Sequence, residues 1–190
     1  MIADFQALFG SIVQTALDMG LLVIALWIIH LIDTVLGGGL KKQFGLRPRT
    51  TLNPLAFFIS PFLHVDFKHL MANTIPFFIL GTLVMIQGQL VFWITTLIII
   101  IAAGLGIWLF GRPGTLHVGA SGLILGYFGY LLANVFFNPN LATIVVAVVV
   151  AVLYLGLIWQ VVPLKKGVST MGHLFGFLGG IAAAWITALL

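Results

Sequence analysis

Apolar residues run along this chain in six long blocks, about 11–36, 66–86, 90–110, 119–137, 141–162 and 168–189. Each is close to the roughly 20 residues a helix needs to cross the hydrocarbon core of a bilayer. Short polar or glycine-proline punctuation separates most of them. Gln87-Gly88-Gln89 and Asn138-Pro139-Asn140 are tight connections, while Gly111 to Gly114 and Pro163 to Gly167 are slightly longer. Only the first connection, about 37–65, is long, and a loop of that length is usually functional or disordered. Its Leu55-Ala56-Phe57-Phe58-Ile59 run reads as a segment lying in the membrane interface. No internal repeat is visible, which disfavours an inverted-repeat transporter. The pattern predicts an all-α polytopic membrane protein, with six transmembrane helices in a single membrane domain over residues 1–190.

Composition strengthens that reading and narrows the chemistry. The chain is 62% hydrophobic and 6% charged, with mean hydropathy +1.24, whereas a soluble domain carries about a quarter charged residues. There is no glutamate, so a His-Glu-x-x-His zinc protease, whose glutamate is the base, is excluded. There is no cysteine, which excludes disulfides, thiol nucleophiles and cysteine-ligated metals. The five histidines show no His-x-x-x-His spacing and no acid accompanies the buried cluster, so no metal and no cofactor are expected. The net charge of +4 comes from basic residues in loops between spans and is not a nucleic-acid signal. The first basic residue is Lys41, so the N-terminus lacks the basic start of a signal peptide and the first block reads as a retained anchor.

Six spans place loops one, three and five on one side, so all even-numbered spans begin there. His69 and Asn73 lie at the start of span two, Ser121 at the start of span four and His173 near the start of span six. Span parity alone therefore brings four polar side chains to one shallow depth. Gly119, Gly122, Gly126 and Gly129 line one face of span four; Gly172, Gly176 and Gly180 line one face of span six. Such faces let helices approach closely. They bring a serine and a histidine to matching depth, the minimum equipment for nucleophilic hydrolysis.

His69 and Asn73 are four apart and share a helix face, where an amide and an imidazole are natural donors to a developing oxyanion. Ionisable groups inside a span are expensive and usually mark function. Asp66 is placed to cap span two by accepting from Lys68 or His69 N–H. His64 reads as a packing or hydrogen-bonding residue with a possible supporting part, and His117 as a residue holding the loop before the serine. His30 and Asp33, three apart, are expected to hydrogen-bond each other. No aspartate is evidently placed to orient His173, which leaves a Ser-His dyad.

These residues resemble the motifs of rhomboid intramembrane serine proteases. His64 to Asn73 is similar to that family's His-x4-His-x3-Asn signature, Gly119-Ala120-Ser121-Gly122 to its Gly-x-Ser-Gly motif, and Gly172-His173-Leu174-Phe175-Gly176 to its base-bearing last helix. The resemblance covers spans two to six. It implies a rhomboid-like bundle with Ser121 as nucleophile and His173 as base. It also implies an oxyanion hole of His69, Asn73 and the Ser121 N–H, with Gly119 and Gly122 in support. Substrates would be single-span proteins of the lipid bilayer, cut near a small residue where their helix unwinds. The family orientation puts the active site on the extracytoplasmic side of a bacterial plasma membrane.

Two departures stand out. The family's best-studied bacterial members have a tyrosine four residues after the serine, stacking on the base; here it is Leu125. All eight basic residues fall on the active-site side, which the positive-inside rule would make cytoplasmic. The competing readings are a catalytically inactive rhomboid-like binder of membrane proteins, and a small transporter or channel.

Overall fold

The computed structural model describes residues 2–50, 53–160 and 169–190. Among them the chain forms α1 (Ile2–Val35), α2 (Gly39–Phe44), α3 (Pro54–Ile59), α4 (Phe67–Met85), α5 (Gln89–Phe110), α6 (Ser121–Phe137), α7 (Leu141–Tyr154) and α8 (Thr170–Thr187). Short 3-10 turns follow α3 (Ser60–Phe62) and α7 (Leu155–Gln160). Among the described residues, five helices are long and apolar enough to cross a membrane: α1, α4, α5, α7 with its 3-10 extension, and α8. The sixth, α6, is apolar but only 17 residues long. The end of span five beyond Gln160, and the Pro163 to Gly167 connection with Lys165 and Lys166, lie outside the described residues.

Local chemistry explains where the helices stop and start. Asp66 is extended and its Oδ1 accepts from His69 N–H at 2.8 Å, capping α4 as its position suggests. Asn140 and Thr143 form a reciprocal capping box on α7. At the C-terminus of α5, Arg49 donates to the Leu109 and Gly111 carbonyls at 3.4 and 2.8 Å. That contact satisfies carbonyls without helical partners and sets a cation at the negative end of the helix. The first helix begins at Ile2, well before the apolar block at 11. The fourth span begins at Ser121 rather than 119, because Gly119 has φ +121° and cannot join the helix.

Around the central α6 pack α4, α5, α7 and α8, and its contact with α8 is the most extensive in the molecule. The glycine faces meet there: a Cβ on Gly176 would overlap the Gly122 carbonyl, and one on Gly180 the Gly126 carbonyl. Backbone therefore lies on backbone along this seam, the close approach that small residues permit. Almost every residue from Leu123 to Asn134 is buried. At about 1.5 Å per residue, α6 spans roughly 25 Å, short of the roughly 30 Å hydrocarbon core. A helix that short at the centre of the bundle lets its N-terminus lie below the membrane surface.

The long first connection folds back onto this end of the bundle. Leu46 and His117 form an antiparallel bridge, and Gly119 N–H donates to the Ser60 carbonyl at 3.0 Å. The Leu55–Ile59 run is part of α3, with Leu55 and Phe58 exposed and Ala56 and Phe57 buried. Phe57 fills the space left by Gly104. One expectation is corrected: Asp33 does not hydrogen-bond His30. Its Oδ2 lies 3.2 Å from Lys41 Nζ and its Oδ1 accepts from Lys41 N–H, because α2 turns back over the end of α1. Among the described residues, the buried His30 Nδ1 has no hydrogen-bond partner.

Candidate active site

Ser121 is the first residue of α6, so its N–H and the next two have no helical acceptor. His173 lies one turn into α8 and is buried, with 4% exposure. Its Nε2 is 2.7 Å from Ser121 Oγ, and its Nδ1 is 3.1 Å from the Gln160 carbonyl. A carbonyl can only accept, so Nδ1 carries the proton in the neutral ring. Nε2 is then bare and accepts from the serine hydroxyl. This is the protonation pattern a general base needs. Leu125 offers no ring to stack on the imidazole, and the Gln160 carbonyl accepts from its Nδ1–H.

The third wall comes from α4. Asn73 Nδ2 donates to His64 Nε2 at 3.1 Å, which puts the proton of the neutral His64 ring on Nδ1. His64 is fully buried, and that burial pushes its pKa down to about 4, helped by the nearby charges of His69 and His30. A neutral His64 can hold the Asn73 amide in one orientation. The His69 ring meets His64 edge-on at 5.3 Å between centroids and lies against Gly119. A Cβ on Gly119 would stand 2.5 Å from His69 Cε1, so this glycine supplies both a positive φ and room for the ring. Gly122 plays a different part, with its face against the Gly172 carbonyl.

His69, Asn73, Ser121 and His173 all line one cavity of about 930 Å³, whose apolar walls include Ala72, Pro76, Ile124, Leu125 and Leu157. His64 lies behind it, supporting Asn73. Among the described residues, no three His, Cys, Asp or Glu side chains are grouped so as to hold a metal ion.

Two further groups stand beside these residues. The Gln160 carbonyl has no sequence signal, since every residue carries one. His117 is more than a loop residue. Thr115 Oγ1 donates to the Arg112 carbonyl and so accepts from His117 Nε2–H at 2.7 Å. His117 Nδ1 is then bare and accepts from Ser169 Oγ–H at 2.7 Å. Burial, and then the neighbouring His173, lower the His117 pKa and favour this neutral form.

Residues 52–189 match the family model described as Rhomboid domain. An uncharacterized protein of Mycobacterium bovis is 39% identical over 172 residues, covering 86% of this chain and 71% of the relative. An uncharacterized protein of Mycobacterium leprae is 34% identical over 170 residues, covering 85% and 66%. A Bacillus subtilis protein bearing the name "Putative rhomboid protease YdcA" is 30% identical over 139 residues, covering 67% and 65%. With the family model spanning most of the chain and five long apolar helices beside the short α6, this multi-pass membrane protein belongs to the rhomboid family of intramembrane proteases.

Proposed function

We propose that the chain is a serine endopeptidase that hydrolyses peptide bonds in or near transmembrane segments of single-span membrane proteins. The observation that carries this reading is the 2.7 Å contact between Ser121 Oγ and a His173 Nε2 whose tautomer is fixed by the Gln160 carbonyl. Ser121 Oγ attacks the scissile carbonyl carbon as its proton passes to His173 Nε2. The imidazolium that forms keeps its Nδ1–H on the Gln160 carbonyl. The developing oxyanion accepts from the Ser121 N–H, from His69 and from the Asn73 N–H not used by His64. Collapse expels the amine, which takes the proton from His173. Water, with His173 again as base, then hydrolyses the acyl ester and restores the serine.

Residues 1–190 are read as one membrane domain built around that site, with the cavity facing the extracytoplasmic side of a bacterial plasma membrane. The basic bias of the active-site side has structural uses that weaken it as a topology signal. Arg49 caps α5, Lys41 pairs with Asp33, and Arg47 and Lys42 donate to the Lys42 and Gly37 carbonyls.

The test is cleavage of a model single-span substrate, with a small residue at the start of its helix, by the purified chain in detergent. Cleavage by the native chain, with loss in both Ser121→Ala and His173→Ala, is expected. Cleavage that survives Ser121→Ala would end the protease reading.

A further inference from the structure

The Ser121–His173 contact is duplicated four residues earlier with its chemistry reversed. Ser121 and His173 are 52 residues apart, and so are His117 and Ser169, which share their own 2.7 Å hydrogen bond. His117 lies in the loop before α6 and Ser169 just before α8, so this second contact joins the entrances of the two helices outside their glycine seam. Ser169 directly precedes α8, and its carbonyl accepts from His173 N–H at 3.0 Å. Any displacement of Ser169 is therefore passed to the base through the first turn of the helix.

His117 is fixed from three other directions. Its backbone N–H and carbonyl pair with Leu46 at 2.9 and 3.0 Å, and its Nε2–H is held by Thr115. Both hydrogen bonds of the ring have unambiguous donors, so the clasp has a single tautomer and a single geometry. It also stands at the wall of the cavity that holds the reacting groups, yet touches neither Ser121 Oγ nor His173 in a hydrogen bond.

We propose that the Thr115–His117–Ser169 chain is a clasp that sets the Ser121–His173 distance by fastening the start of the base helix to the loop that carries the nucleophile. This rests on the protease reading for its catalytic consequence, with His117 and Ser169 as positioning residues. A misplacement of about 1 Å can cost on the order of 100-fold in rate. The clasp acts on the reacting geometry rather than on substrate affinity, so kcat falls and KM does not move.

The experiment compares the native chain with His117→Ala, Ser169→Ala, the double variant and Ser169→Thr, using the same single-span substrate in detergent. Each alanine variant is expected to lower kcat by roughly 10- to 100-fold, with KM within about two-fold. The double variant should be no worse than the poorer single one, since both break one hydrogen bond. Ser169→Thr, which keeps the hydroxyl, should retain activity within about three-fold of native. Losses that multiply in the double variant, a change confined to KM, or equal damage from Ser169→Thr and Ser169→Ala overturn the clasp. Ser169→Ala removes one oxygen atom and carries the test alone if His117→Ala fails to fold.

A second readout is the pair of imidazole 15N resonances of His173, in chain labelled with 15N-histidine and assigned by His173→Asn. They should shift in Ser169→Ala and stay in place in Ser169→Thr. Unchanged resonances in Ser169→Ala refute the clasp, whether or not the chain cleaves substrate. A native chain that cleaves nothing refutes the protease reading instead.

Discussion

At the scale of single residues, the site depends on small groups that leave space as much as on reactive ones. A methyl group on Gly119 would collide with the His69 ring on a backbone whose φ of +121° already disfavours a side chain. Asn73 works through the opposite property, a filled hydrogen bond that fixes its amide against His64. Losing one of several oxyanion donors typically costs about 100- to 1000-fold in kcat. Asn73→Ala should therefore lower kcat into that range without abolishing cleavage, while Gly119→Ala should leave less activity than Asn73→Ala. Steady-state cleavage rates check both; an Asn73→Ala variant at native rate would remove the amide from the oxyanion hole. The meeting places of these residues were legible because serine, histidine and asparagine stand out in apolar spans. The Gln160 carbonyl was not, because main-chain groups leave no mark on a sequence. The Asp33 partner is hidden from the sequence for a related reason. The His30–Asp33 spacing describes a helix face, whereas Lys41 reaches Asp33 only through the fold of α2.

At the scale of elements, α4 brings its polar residues to the cavity from a capped start, with His64 just outside the helix as the buried support. In the unfolded chain His64 titrates near 6.5, and in the folded chain near 4. Between those values the unfolded state binds a proton that the folded state excludes, so stability falls as pH drops from 6.5 toward 4 and flattens below. Protonation at Nε2 would also set two donors against each other at the Asn73 contact. The midpoint of thermal unfolding in detergent, at fixed scan rate, should decline over that window. His64→Asn should decline less steeply, with the residual slope reflecting groups such as His117, whose pKa is also lowered. An unaltered slope in His64→Asn would show that His64 titrates normally. The glycine faces of α6 and α8 were readable from their spacing, and the fold shows how far they go, to carbonyl contact along the seam. What spacing could not show is that α6 begins two residues late, at a serine exposed to the cavity by the turn at Gly119.

At the scale of the whole molecule, six apolar blocks and their parity are enough to start the even-numbered spans on one side. The architecture around α6 then follows from length and burial, since a short, deeply buried helix can have its N-terminus sunk into the bundle. The long first connection was the least readable part, because its two short helices are set by tertiary contacts such as Leu46 with His117 and Phe57 over Gly104. Orientation remains a property of the membrane rather than of the bundle. A reporter fused after Leu190 should report a cytoplasmic C-terminus; one on the far side would reverse the proposed orientation and agree with the charge bias.

Activation of Ser121 as a nucleophile by His173 is read by treating the purified chain with a fluorophosphonate and locating the adduct by tandem mass spectrometry of its peptides. One phosphonyl group on Ser121 is expected, with labelling lost in His173→Ala. No adduct on Ser121, or one that forms as readily without His173, would contradict it.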